Sequence, residues 1–346
     1  MKRFAGYGNF IGLILLALIL SILPFYLPNN YQVSILIFIA LHTILTVGLS
    51  LLMGYAGQIS LGHAVFYGMG GYTAGILAAR LGVPTPVAIV AAAALTGVLA
   101  YIIAIPILRL RGNYLAMATL GLNVIFTLFL TQQTDWTGGP NGLGNIPKLS
   151  FGDWVVKTDI QMYYVTWFAA LAILALSLNI VNSRFGRALR SIHSSQIAAE
   201  MLGVDAAHYK VAVFTLSAVY ASIAGALYVF WIGLISPSVV SINLSVELVV
   251  MVAIGGLASV WGAIFGAAAI TLLTEILRNV LPQLLSGASG EQEIIAFGLI
   301  LMIVMIFLPE GLTTGTLLRL RRWQANRQAL KETTQTSAIV GTGPHA

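Results

Sequence analysis

Between Arg3 and Arg80 the chain carries no Asp, Glu, Lys or Arg, a charge-free stretch of 76 residues. Roughly 20 apolar residues cross the hydrocarbon core of a bilayer, so this stretch alone can hold three crossings. Further charge-free runs cover 81–108, 112–134, 160–183, 211–246, 248–274 and 294–309. A soluble domain has about 25% charged residues, whereas this chain of 346 has 8%, with 58% hydrophobic. The runs are continuously apolar and lack the period-two alternation of a membrane β-barrel. The expected fold class is all-α: a polytopic membrane protein of about ten transmembrane segments, some short or broken, with both termini cytoplasmic.

The segments are expected at about 10–27, 33–53, 64–79, 87–108, 113–131, 162–182, 210–232, 246–258, 262–280 and 293–309. The eighth is too short to cross unaided. The first follows Lys2 and Arg3 like a signal peptide, but Ile22-Leu23-Pro24-Phe25-Tyr26 has no small-residue cleavage site, so it is read as a retained helix. With the N-terminus inside, strict alternation puts 13 of the 17 cations on the cytoplasmic face and leaves Arg80, Lys148, Lys157 and Arg278 outside, as the positive-inside rule requires. The net charge of +6 then reports orientation, not a nucleic-acid partner. A transmembrane domain is expected over 1–315, with a turn-rich periplasmic loop at 132–161 and a cytoplasmic segment at 184–210. Within the latter, Ala188, Leu189, Ile192, Ala198, Ala199, Met201 and Leu202 keep helical spacing, and Gly203 stops the helix before a second short turn, Asp205 to Tyr209. Residues 316–346 form a basic, then Thr/Ser/Gly-rich and disordered cytoplasmic tail.

Enzyme chemistry finds no support. A phosphate-binding loop, a His-Glu-x-x-His pair and a Gly-x-Ser-x-Gly elbow are all missing, and the five His are scattered at 42, 63, 193, 208 and 345. With no Cys there is no thiolate site, and no metal or cofactor is expected. Two acids fall within the apolar runs, where a carboxylate needs a partner. Glu275 has Arg278 one turn on and reads as a structural pair. Glu247 follows Pro237, Asn243 and Ser245, and is expected in the first turn of a short helix, with a direct substrate or gating role as the alternative. His42, with Thr43 and Thr46, reads as an interhelical hydrogen-bonding group, with substrate contact or proton relay as the alternative.

The glycines say more than the charges. Gly54-Tyr55-Ala56-Gly57-Gln58-Ile59-Ser60-Leu61-Gly62-His63 separates the second and third segments, and Gly255-Gly256-Leu257-Ala258-Ser259-Val260-Trp261-Gly262 separates the eighth and ninth. Each shares a Gly, a Ser three positions on, another Gly and then a Phe (Phe66, Phe265), a weak internal repeat. Paired Gly-interrupted apolar segments are where transporters place broken helices along a path. Gly57, Ser60, His63, Glu247, Gly255, Gly256 and Ser259 are therefore candidate path residues, and close helix packing is the competing explanation.

Those two stretches, together with Leu108-Arg109-Leu110-Arg111-Gly112-Asn113-Tyr114, Thr137-Gly138-Gly139-Pro140-Asn141-Gly142-Leu143 and Gly186-Arg187-Ala188-Leu189-Arg190-Ser191-Ile192, resemble in order the landmarks of the M-type (LivM-type) permease subunits of bacterial branched-chain amino acid ABC importers. The resemblance covers roughly 40–312. It implies an inner-membrane heterodimer with a second, related permease subunit, two cytoplasmic ATPase subunits and a periplasmic binding protein that delivers substrate. It also implies that 184–210 docks on the ATPase through Arg187, Arg190, Ala198, Ala199, Glu200 and Gly203. Ala198-Ala199-x3-Gly203 matches the importer pattern Glu-Ala-Ala-x3-Gly, except that Ile197 stands in the Glu position. Relatives carrying urea or short amides are an alternative substrate class. An ion-coupled secondary transporter, resting on Glu247 and His42, is the competing mechanism, and a membrane-embedded enzyme is disfavoured.

Overall fold

The computed structural model describes residues 2–26, 29–110, 112–284, 298, 299 and 302. Apart from those last three positions, the tenth expected segment (293–309) lies outside the described residues, as do the tail 316–346 and Arg111. The helices are α1 (Lys2–Ile22), α2 (Asn30–Ser50), α3 (His63–Leu81), α4 (Thr85–Ile107), α5 (Asn113–Gln132), α6 (Thr134–Thr137), α7 (Asp159–Asn182), α8 (Arg184–Ser194), α9 (Gln196–Met201), α10 (Ala206–Ile232), α11 (Ile242–Gly255) and α12 (Val260–Leu284). Helices dominate because lipid offers the backbone no hydrogen bonds, so each peptide group must be satisfied within its own segment. Seven described helices are long and apolar enough to cross a membrane, and α11, at 14 residues, is apolar but short.

The remaining expected segment, 64–79, is helical as α3, yet it is not among those seven. Glycine is the reason. Gly68, Gly70, Gly71 and Gly75 lower its hydropathy, and they are buried against protein. A Cβ on Gly225 of α10 would overlap the Tyr67 carbonyl, and one on Gly70 would overlap the Ser222 backbone. Small residues on both helices thus bring two backbones into contact, which supplies the van der Waals packing that holds helices together in lipid. Around this pair, α10 also packs on α4 and α2, α2 packs on α7 and α12, and α11 folds back on α12.

Side chains set the helix starts where polar residues are available. Thr158 and Gln161 form a reciprocal capping box at α7, and Ser241 Oγ accepts the Leu244 N–H at 3.2 Å to start α11. Glu247 therefore stands in the second turn of α11, not the first as expected, because Ser241 already caps the helix. The expected second short turn at 205–209 is instead the first turn of α10, whose N-cap Asp205 accepts the His208 N–H at 3.0 Å. The loop between α5 and α7 is turn-rich, with Gly138, Gly139 and Gly142 all at positive φ. It adds a hairpin that the sequence does not announce, β1 (Ser150–Phe151) against β2 (Trp154–Val155), and its Leu143 bridges to Ile235.

Because Gly225 meets backbone and not a movable side chain, Gly225→Leu should destabilise the chain by about 3 kcal/mol. Gly121, with nothing within 4 Å of a built Cβ, is the matched control. Thermal midpoints and membrane abundance of Gly225→Leu and Gly121→Leu should separate clearly, and equal values would refute a backbone-contact seam between α3 and α10.

Candidate functional site

The two glycine-interrupted stretches lie against each other. A widened π-helical turn, Leu51–Tyr55, ends α2 and is buried. Gly57, at φ +68°, then stops the chain: its N–H reaches the Met53 carbonyl at 3.2 Å, and the Gln58 N–H reaches the Leu52 carbonyl at 3.1 Å. This pair of bonds, with a left-handed glycine, closes the helix end and satisfies carbonyls that lipid would leave bare. On the other stretch, Gly256 follows α11, and Ser259 Oγ accepts the Gly262 N–H at 3.0 Å to start α12. A Cβ on Gly54 would overlap the Leu257 carbonyl, and Ser50 Oγ donates to the same carbonyl at 3.1 Å. Thr46 Oγ1 adds a bond to Ala263 O at 3.2 Å, and His42 Nδ1 lies 2.8 Å from Thr271 Oγ1. The interhelical role expected of His42 and Thr46 is present.

Beyond Gly57 the chain turns toward α5. The Leu61 N–H donates to Thr119 Oγ1 at 3.0 Å, and a Cβ on Gly62 would overlap the Thr119 carbonyl. Ser245 Oγ on α11 accepts from both the Ala64 N–H (3.3 Å) and Asn123 Nδ2 (3.0 Å). Around this node three buried atoms have no hydrogen-bond partner: Ser60 Oγ, His63 Nε2 and Asn123 Oδ1. Ser60 is 2% exposed and His63 1%. Buried polar atoms in proteins are nearly always bonded, so these three side chains are candidates to contact a ligand or water. Sequence reading missed Thr119 and Asn123, and took Ser245 for part of a helix start, not for a link between elements.

The candidate path residues divide by environment. Gly255 backs onto the Gly262 carbonyl, Gly256 turns the chain at φ +110°, and Ser259 caps α12. Glu247 is half-buried and bonds to no described residue. Glu275 does not take Arg278 as its expected partner. It accepts from Tyr31 Oη and from Asn279 Nδ2 (3.2 Å), Asn279 standing one turn on at i+4.

Between α7 and α10 the chain forms the amphipathic pair α8–α9. Gly186, Leu189 and Ile192 are the buried face of α8. Arg187 and Arg190 point back to α7, donating to the carbonyls of Asn182 (3.4 Å) and Val181 (3.1 Å), where cations complement the negative end of a helix. Ile192, Ala199 and Ala206 form a small core that ties α8, α9 and α10 together. Gln196 bridges the pair to α10: its Oε1 accepts from Lys210 Nζ at 2.7 Å and its Nε2 donates to Glu200 at 2.7 Å. Ala199 is buried, Ala198 and Glu200 are exposed, and Gly203 ends the turn at φ +81° with open space around it. The sequence pattern leaves one feature unstated: Ile197 (67% exposed), Met201 (84%) and Leu202 (83%) form an uncovered apolar ridge on α9. Finally, a Cβ on Gly57 would stand 2.9 Å from His193 Nδ1, so the end of α8 touches the broken end of α2.

Apolar crossing helices arranged about a seam of two broken segments define a multi-pass membrane protein. The chain belongs to the family described as "Branched-chain amino acid transport system / permease component", which matches residues 31–309. It is 29% identical over 325 residues to the high-affinity branched-chain amino acid transport system permease protein LivM of Salmonella typhimurium, covering 87% of this chain and 74% of that protein. LivM of Escherichia coli is 28% identical over 322 residues, 86% of this chain and 74% of the relative. The permease protein LivH of Salmonella typhimurium is 24% identical over 287 residues, 78% of this chain and 90% of the relative. No solved structure matches the chain.

Gly203 is both left-handed and free of neighbours, so Gly203→Val should cost roughly 1–2 kcal/mol through backbone conformation alone. Hydrogen exchange should accelerate across 196–204 while the amides of α10 keep their protection. Loss of protection throughout α10 would show that the turn supports the bundle as well as α9.

Proposed function

We propose that this chain is a membrane permease subunit of an ABC importer, passing branched-chain or other hydrophobic amino acids received from a periplasmic binding protein across the bacterial inner membrane. The observation that carries the mechanistic half is the apolar ridge of Ile197, Met201 and Leu202 on a short helix outside the apolar spans. Water-exposed leucine and methionine at such a site suit a partner protein, and the core of Ile192, Ala199 and Ala206 beneath makes the ridge a stiff contact. The partner is a pair of cytoplasmic ATPase subunits. Arg187 and Arg190 serve by fixing α8 to α7, while Ala198, Glu200 and Gly203 shape the contact itself. A second, related permease completes the membrane unit, a pairing in keeping with likeness to both LivM and LivH proteins.

The path runs beside the seam. Ser60 and His63 offer unpartnered polar atoms there, Gly57, Gly255, Gly256 and Ser259 permit the chain breaks, and half-buried Glu247 borders it. Closure of the ATPase pair would move α8–α9, and the contact of His193 with Gly57 hands that movement to the broken end of α2. Ten crossings with cytoplasmic termini remain the topology that the cation distribution supports.

The docking surface has a direct test. Ile197→Glu with Met201→Glu should leave insertion intact and weaken ATPase association by roughly thirtyfold, the effect of losing a hot spot of about 2 kcal/mol. Wild-type association and uptake would place docking elsewhere, and uptake by this chain alone under a proton or sodium gradient would favour secondary transport.

A second test uses the absence of native cysteine. Single cysteines at Asn145 and Ser195 should label from opposite membrane faces, with 195 cytoplasmic, and cysteines at Ser60 or His63 should react with hydrophilic reagents during turnover. Labelling of 145 and 195 from one face, or inert thiols at both path positions, would defeat the corresponding part of the proposal.

A further inference from the structure

Two depressions run end to end along the seam between α4 and α10. The first, about 640 Å³, is lined by Val90, Ala94, Gly97 and Val98 of α4 and by Thr215 and Val219 of α10, and it ends at Tyr101. The second, about 580 Å³, begins at Tyr101, passes Ile105 and Leu108 and opens at Arg109 and His208. On α4 these residues follow one helix face, stepping by three or four. Small side chains at Ala94 and Gly97 hollow the apolar part into a furrow, and Val90, Val98, Tyr101 and Ile105 on its rim are exposed.

Polarity changes in one direction only. The furrow is apolar from Val90 to Leu108 and becomes cationic at its mouth. Arg109 is exposed and bonds to no described residue. His208 is exposed beside it, and Lys210 lies in the wall with Gln196. Among the described residues lining the mouth the carboxylate is Asp205, whose Oδ1 caps α10 by accepting the His208 N–H at 3.0 Å. An apolar channel parallel to the helices with a positive mouth is complementary to an amphiphile carrying a negative head. One leaflet is about 15 Å of hydrocarbon, or roughly ten helical residues, so an acyl chain rooted at Arg109 reaches the level of Val98.

We propose that the α4–α10 furrow is a binding site for one anionic phospholipid, its acyl chain lying along Val98, Tyr101 and Ile105 and its phosphate held at Arg109 and His208. Basic pockets between transmembrane helices suit such headgroups. The site is separate from the broken-helix seam, and its test does not depend on transport.

The purified full-length chain, stripped of lipid in an uncharged detergent, would be titrated with dioleoylphosphatidylglycerol or dioleoylphosphatidylcholine, reading retained lipid by native mass spectrometry and the thermal midpoint. One phosphatidylglycerol should be retained, and should raise the midpoint, at concentrations where phosphatidylcholine does neither. Arg109→Gln should weaken phosphatidylglycerol retention by roughly fivefold, the effect of one cation near an anionic lipid surface. Val98→Trp should fill the furrow and reduce retention of both lipids, whereas Arg278→Gln, an exposed cation on α12, should change neither. Equal retention of the two lipids, or equal effects of Arg109→Gln and Arg278→Gln, would overturn the site. Quantitative cross-linking of a cysteine at 98 to a second permease subunit, with no lipid retained, would make the furrow a protein interface and overturn it equally.

Discussion

A helix that breaks within lipid exposes peptide groups that only protein can satisfy, and in this chain the two central breaks satisfy each other. The Leu257 carbonyl, in the gap between α11 and α12, accepts from Ser50 Oγ and packs on Gly54 at the end of α2. Gly57 and Gln58 turn back on Met53 and Leu52, and Ser259 caps α12. Each break costs several kcal/mol if left bare in hydrocarbon. The arrangement of α2, α3, α11 and α12 follows from bringing these groups together, and the unpartnered atoms of Ser60, His63 and Asn123 collect beside the resulting seam.

The architecture was legible because the dominant signal, length of apolar run, is the one lipid imposes. The interruptions at 54–63 and 255–262 were legible as breaks, though not as neighbours, since sequence spacing says nothing about contacts across more than 190 residues. The close-packing reading of the glycines is visible at Gly54 and Gly255, which are sites of close backbone approach, while Gly57 is a left-handed stop. Helical spacing through Ala198, Ala199, Met201 and Leu202 does give a helix at α9, but spacing does not say which side is covered: Ala199 is buried while Met201 and Leu202 stand in the open. The bonds of Thr119 and Asn123 were invisible because nothing in an apolar run distinguishes a bonded Thr or Asn from one that faces no partner.

The α8–α9 pair shows how a segment outside the bundle is kept rigid. Its cations close the end of α7, its apolar face shares a core with α10, and Gln196 links Lys210 to Glu200. Three attachments to two long helices leave little freedom for independent swing, so displacement of α9 must be shared by α7 and α10. A pocket of about 210 Å³ between Gly57, Gln58, Ile59 and His193 lies where the pair meets the end of α2 and leaves room there for the two to shift.

The glycine-built α3 has a consequence for how the protein is made. Its backbone contact with α10 removes the large apolar side chains that would carry it into lipid by itself, and α10 follows it by more than 120 residues of chain. During synthesis α3 therefore depends on adjacent α2 and α4 for shelter until α10 emerges. The order in which helices leave the insertion machinery is thus constrained by the same small residues that allow the finished bundle to close.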